Sequence, residues 1–144
     1  MKATIYLRIA AALALIHCIL HTVGGVFGSS PQHSPEAAVE ASMKITTFPV
    51  MGVMRSFWDF YFGYGLMVAI TLLILSVLLW QLGALAKTHP TQIRPLLLTL
   101  IFNFLAISVV AAHYFFLAPA ITEILIALFI ALAFFAASPR TAAS

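Results

Sequence analysis

Residues Arg55–Ala86 read "RSFWDFYFGYGLMVAITLLILSVLLWQLGALA", and no charged residue follows Asp59 until Lys87. A helix crosses the hydrocarbon core of a bilayer with roughly 20 apolar residues. This stretch is longer than that, so it spans a membrane with tilt or with one end projecting into water. The rest of the chain has the same character. Of 144 residues, 63% are hydrophobic and 8% charged, and the mean hydropathy is +1.10. Such usage lies outside that of soluble globular domains. Four spans consume most of the length and leave no room for a separate soluble domain.

Working outward from that run, the amino-terminal stretch "TIYLRIAAALALIHCILHTVGG" predicts a span over about 4–27 that runs out at Gly28, Ser29, Ser30 and Pro31. Lys2 and Arg8 precede it as in a signal peptide, but the run is span-length and "HTVGGVFGSS" is a poor cleavage site, so it reads as a retained helix. A lipoprotein box ending at Cys18 is excluded by His17, which stands where a small residue is needed. Further along, Ser34 and Pro35 suit an N-cap and a first helical position, with Glu36 in the first turn. They predict a short helix over about 35–46, with Glu36, Glu40 and Lys44 on one face, lying on the membrane surface.

Pro49 and Gly52 then break regular structure before the second span, about 56–86. "KTHPTQIRP" is a polar turn, and the third span covers about 94–117. Pro119 opens the fourth, about 120–137. The expected fold is all-α: an antiparallel four-helix transmembrane bundle in one domain, with an interfacial helix in its first outer loop. Lys2, Arg8, Lys87, Arg94 and Arg140 fall on one side, and Lys44 and Arg55 on the other. The bias places both termini in the cytoplasm.

Basic residues occur singly, which argues against nucleic acid as a partner. The lone Cys18 excludes an intramolecular disulfide or a thiol relay. Four spans without an internal repeat or a broken helix argue against transport.

Placed by depth at about 1.5 Å per residue, the polar residues of the spans gather toward the outer leaflet. His21, Arg55, Asp59, Tyr61, His113 and Glu123 are the candidate lining of an outward-facing polar pocket. His17 lies one turn deeper than His21, and Asn103 lies near mid-depth. Arg55 and Asp59, one turn apart, are the expected ion pair, open to extension by Glu123 or a histidine. Phe57, Trp58, Phe60, Tyr61, Phe62 and Tyr64 have the composition of an interfacial aromatic belt. Gly63 and Gly65 would admit a neighbouring helix, received at Gly24 and Gly28.

Each polar residue also has a plainer reading. His17 and His21, spaced i and i+4, would with His113 hold haem b or a divalent metal; otherwise each bonds a carbonyl or carboxylate across the bundle. Arg55 and Asp59 would recognise an anionic headgroup or a quinone carbonyl, or else clasp loop to bundle. Asn103 would bond an adjacent helix, and Cys18 is a small buried apolar residue. No catalytic motif is present and no cofactor is expected, with haem b or a quinone as the alternatives.

Taken together, "HTVGG", "MKITTFPVMGVMRSFWDFYFGYGL", "LLWQL" and "HYFFLAPA" resemble a family of small bacterial four-span membrane proteins, first catalogued in leptospiral genomes, to which no activity is assigned. The resemblance covers nearly the whole chain and implies a four-span fold in the bacterial inner membrane. It transfers no functional residue. DoxX-type membrane proteins are similar in span count alone. Three functions are therefore expected as alternatives. One is a non-enzymatic protein whose outer pocket binds a lipid, a quinone-like molecule or a partner helix. Another is a redox or enzymatic subunit using His17, His21 and His113, and the third is a structural subunit of a larger membrane complex.

Overall fold

The structure, a computed structural model, describes residues 2–138. In chain order its elements are α1 (Lys2–Leu20), a π-helical turn (His21–Val26), α2 (Pro35–Ile45), β1 (Thr47–Val50), β2 (Val53–Ser56), α3 (Phe57–Leu85), α4 (Arg94–Tyr114) and α5 (Leu117–Ala136). Four helical stretches are long and apolar enough to cross a membrane: Lys2–Val26, Phe57–Leu85, Arg94–Tyr114 and Leu117–Ala136. The chain is a multi-pass, four-helix membrane protein of the all-α class. It divides into two compact units, one formed by the chain up to His17 with the chain from Leu72 onward, the other by Cys18–Thr71.

The first unit holds the core. Ala3, Leu7, Ala10, Ala11 and Ala14 make a buried stripe on α1, joined by Leu79 and Leu82 of α3, Leu97, Leu100 and Phe104 of α4, and Ile126, Ala127, Ile130 and Ala133 of α5. Lipid tails are as apolar as these side chains, so close packing rather than exclusion of water holds the bundle. Alanines on α1 allow the approach: Ser76 Oγ donates to the Ala11 carbonyl at 2.9 Å. Nearer the amino terminus the Arg8 guanidinium lies 3.3 Å from the centre of the Trp80 ring. A Cβ added at Gly83 would stand 3.3 Å from Arg8 Nε. Residue 8 thus meets 80–83 while residue 11 meets 76, so the two helices run antiparallel here. The Arg94 guanidinium, 4.2 Å from the Phe134 ring, ties the start of α4 to the end of α5.

Three threonine hydroxyls within the spans are satisfied locally. Thr71, Thr99 and Thr122 each donate to the carbonyl four residues back, which removes the cost of an unpaired donor in hydrocarbon.

The second unit contains two features absent from the sequence expectation. After Leu20 the helix widens into π geometry, with Phe27 N–H bonding the Thr22 carbonyl at 3.0 Å and Thr22 Oγ1 taking the Cys18 carbonyl at 2.7 Å. A side chain competing for the backbone ladder, followed by two glycines, is a sufficient cause. The stretch expected to be irregular around Pro49 is instead an antiparallel hairpin pairing Thr47 with Ser56 and Val50 with Val53. Met51 (φ 49°) and Gly52 (φ 86°) form its two-residue turn, the conformation that matches the twist of paired strands.

Boundaries shift accordingly. Arg55 and Ser56 belong to β2, so the second span starts at Phe57; the third ends at Tyr114; and the fourth starts at Leu117, placing Pro119 inside its first turn. Helix α2 follows the expectation, with Ser34 Oγ accepting Ala37 N–H at 3.1 Å as its cap. Arg140, counted in the charge bias, lies outside the described residues.

Candidate functional site

Glu123 is the one charged residue buried in the core among the described residues, and its carboxylate faces His17. It sits about 9 Å into α5 from Leu117, at 1.5 Å per residue. Nδ1 of His17 stands 2.8 Å from Oε1 of Glu123, with the side chains 14% and 1% exposed. The separation is that of an ion pair, yet the ring N–H is not aligned for a hydrogen bond, and Oε2 has no partner at all. Unfilled bonding capacity at membrane depth is costly, and this pair is the candidate site of the four-helix unit.

Two further buried polar atoms of that unit lack partners, Thr4 Oγ1 and Asn103 Nδ2. Asn103 therefore does not bond an adjacent helix as expected. His113 is exposed near the end of α4, edge-on to Tyr114 at 4.5 Å. Between α4 and α5 runs a groove of about 230 Å³ lined by Ile101, Leu105, Ile124, Ala127, Leu128 and Ala131.

In the second unit the expected ion pair does not form. Asp59 Oδ2 accepts Ser56 N–H at 2.8 Å, and Asp59 N–H donates to Ser56 Oγ at 3.2 Å. This reciprocal capping box closes the start of α3. Arg55 instead donates from its guanidinium to the Met54 carbonyl at 3.1 Å and stays exposed. The physical reason is the strand: with residue 55 in β2 and residue 59 in the helix, the two are no longer one helical turn apart.

His21 Nε2 lies 3.0 Å from the Gly65 carbonyl. A carbonyl only accepts, so Nε2 carries the proton of this bond. Cys18, expected as a plain apolar residue, donates its thiol to the Ala69 carbonyl at 3.3 Å. Gly65 receives Val26, whose Cγ2 would be 3.1 Å from an added Cβ; Gly24 and Gly63 face open space, so they do not mediate that approach. Tyr61 is exposed and lies 5.5 Å from Trp58, whose ring carries the Lys44 ammonium at 4.2 Å.

The candidate residues are thus distributed. Glu123 and His113 lie in the four-helix unit, while His21, Arg55, Asp59 and Tyr61 lie in the other. His17 and His21 have separate partners, and among the described residues no three His, Cys, Asp or Glu side chains gather as a metal would require. The His17–Glu123 pair itself had only a weak signal in the sequence, a carboxylate and an imidazole on different spans. Comparison with protein-family models, with curated proteins and with solved structures finds no match.

Proposed function

We propose that the protein is a non-enzymatic, multi-pass protein of the bacterial inner membrane, with both termini cytoplasmic, whose His17–Glu123 pair holds one proton as a clasp between α1 and α5. One observation carries the reading: an ionisable pair closed off in the hydrocarbon-depth core, with a carboxylate oxygen left without a partner. The pair has no room for an organic ligand, since Glu123 is 0% exposed; a proton needs none.

With one proton the pair is net neutral, whether written as imidazolium and carboxylate or as imidazole and carboxylic acid. Removing it leaves a bare carboxylate in apolar surroundings, and adding a second leaves a bare imidazolium. Either charge is expensive there and favours separation of the helices or entry of water. Of the three forms, the one-proton pair alone buries no net charge, which suits a closed clasp between α1 and α5. The resemblance to four-span bacterial proteins belongs to the same proposal and supplies the membrane and orientation.

The test is infrared difference spectroscopy on the protein in lipid across a pH series. A carboxyl band that titrates, vanishes in Glu123→Gln and shifts in His17→Gln supports proton exchange at the pair. A Glu123 band that never changes with pH makes the pair a static tie and overturns the reading.

A second reading rests on the groove between α4 and α5, whose lining is wholly aliphatic. It fits a lipid chain, and the pocket function would then lie on the bundle's outside. Native mass spectrometry of gently extracted protein tests it: a lipid retained by the native chain and lost on Ala127→Phe supports the groove as its seat.

A further inference from the structure

The hairpin formed by β1 and β2 presents its least favourable residue at its tip. Met51 adopts a left-handed conformation at φ 49° and is fully exposed. A side chain with a Cβ is disfavoured there, and turns of this kind ordinarily use Asn, Asp or Gly. Its neighbours Val53 and Met54 are also about half exposed, so "VMGVM" (Val50–Met54) forms a continuous apolar projection. Nothing within the described residues covers it.

The hairpin's attachment says what does. Phe48 of β1 packs on Phe57 at 4.8 Å between ring centres and stacks on Phe60 at 6.2 Å. Both partners belong to the first turn of α3, within about 5 Å of its start at 1.5 Å per residue. Tyr61 and Tyr64, both more than half exposed, follow about 6 and 10 Å along the helix and have the composition of the water–lipid boundary. Met51 lies six residues before Phe57, so at about 3.3 Å per residue the tip stays within roughly 20 Å of the start of the spanning helix. The apolar tip is thus tethered, through Phe48 on Phe57 and Phe60, within reach of the level at which α3 enters the bilayer. Arg55, exposed and with no carboxylate within ion-pair distance among the described residues, lies on the strand leading to the tip.

We propose that this hairpin is a second membrane anchor. Its Val50–Met54 tip dips into the headgroup and acyl boundary of the bilayer that α3 crosses, with Arg55 set for lipid phosphate. The occupant of the exposed tip is the lipid surface. Burial of Met51, Val53 and Met54 in that layer offsets the strained turn, and the hairpin fixes the level at which α3 enters the membrane.

The experiment uses the full chain carrying Cys18→Ser and Met51→Cys, labelled with a small environment-sensitive fluorophore and reconstituted in phosphatidylcholine vesicles containing phosphatidylglycerol. Position 51 has no contact to lose, and a thermal melt matching the Cys18→Ser parent confirms the fold. Emission quenched by lipids with a nitroxide near the headgroup, and protected from aqueous iodide, is the expected result. Quenching by iodide alone places the tip in water and overturns the proposal. Protection from both quenchers places it against protein, such as a second copy, and also overturns it. Val53→Cys in the same background repeats the measurement on the neighbouring strand.

Discussion

The four-helix unit and the Cys18–Thr71 unit handle polar groups in opposite ways. In the former, an ionisable pair is largely buried in a unit whose core is Leu, Ile, Ala and Phe, and its bonding is incomplete. In the latter, a charged pair and the helix caps are satisfied over three or four residues, Ser34 with Ala37, Ser56 with Asp59 and Glu40 with Lys44, and the two long-range polar contacts, Cys18 on Ala69 and His21 on Gly65, each end on a backbone carbonyl. Local satisfaction is cheap and legible, because both partners come from one short segment. Enclosed polarity depends on which helices meet and is tolerated only where the surrounding packing compensates. The lesson is that the buried charged residue of this chain lies where its sequence is least polar.

Substitutions probe that contrast by size. Phe104→Ala empties a fully buried position and should cost about 3–5 kcal/mol in reversible unfolding in bicelles, more than any single truncation in Cys18–Thr71. A smaller loss than Ser56→Ala produces would abolish the contrast. Next, His17→Leu leaves Glu123 buried without its partner and should cost about 1–3 kcal/mol. Adding Glu123→Leu should recover most of it, since a buried pair replaced whole is often neutral or better. If the double variant is as unstable as the two single losses summed, the two residues are not coupled.

Ser56→Ala removes the acceptor for Asp59 N–H and should cost about 1 kcal/mol, measured the same way. Asp59→Ala should destabilise in the same direction while Arg55→Ala has little effect, which separates a capping box from an ion pair. An equal effect of both would restore the pair.

The smallest effect is on α2. A backbone N–H and the Ser34 hydroxyl hold the Glu36 carboxyl below its usual range, and the Lys44 ammonium does the same for Glu40. Folded carboxyls so lowered bind fewer protons than unfolded ones, so their contribution is complete above the ordinary carboxylate range. It is lost as pH falls through the lowered values. The protection factors of the α2 amides, taken against the intrinsic exchange rate at each pH, should therefore fall on acidification in that window; protection that is flat in pH would show that these carboxylates contribute nothing to the helix.

How much of this was legible varies residue by residue. Ser34, Pro35 and Glu36 announced α2, and the structure places its start there. The capping role of Asp59 was equally local but was hidden by reading Arg55 as helical. The hairpin escaped because its turn is Met-Gly instead of Asn-Gly and because Pro49 sits within one strand. A two-stranded ribbon tolerates that proline, since each strand is an edge. The π turn left only a threonine and two glycines as its trace.

Hydrophobic length is an additive property of consecutive residues, so the amino-acid order sufficed for the membrane class and the number of spans, and the local Ser34 signal for the cap of α2. Which side chains meet across the chain is not additive. His17 against Glu123, His21 on Gly65 and Phe48 on Phe60 depend on how helices and hairpin pack, and neighbours distant in sequence acquire meaning only when packing brings them within a few ångströms. In a chain with so few polar groups, that packing selects which of them is left enclosed, and so where its chemistry lies.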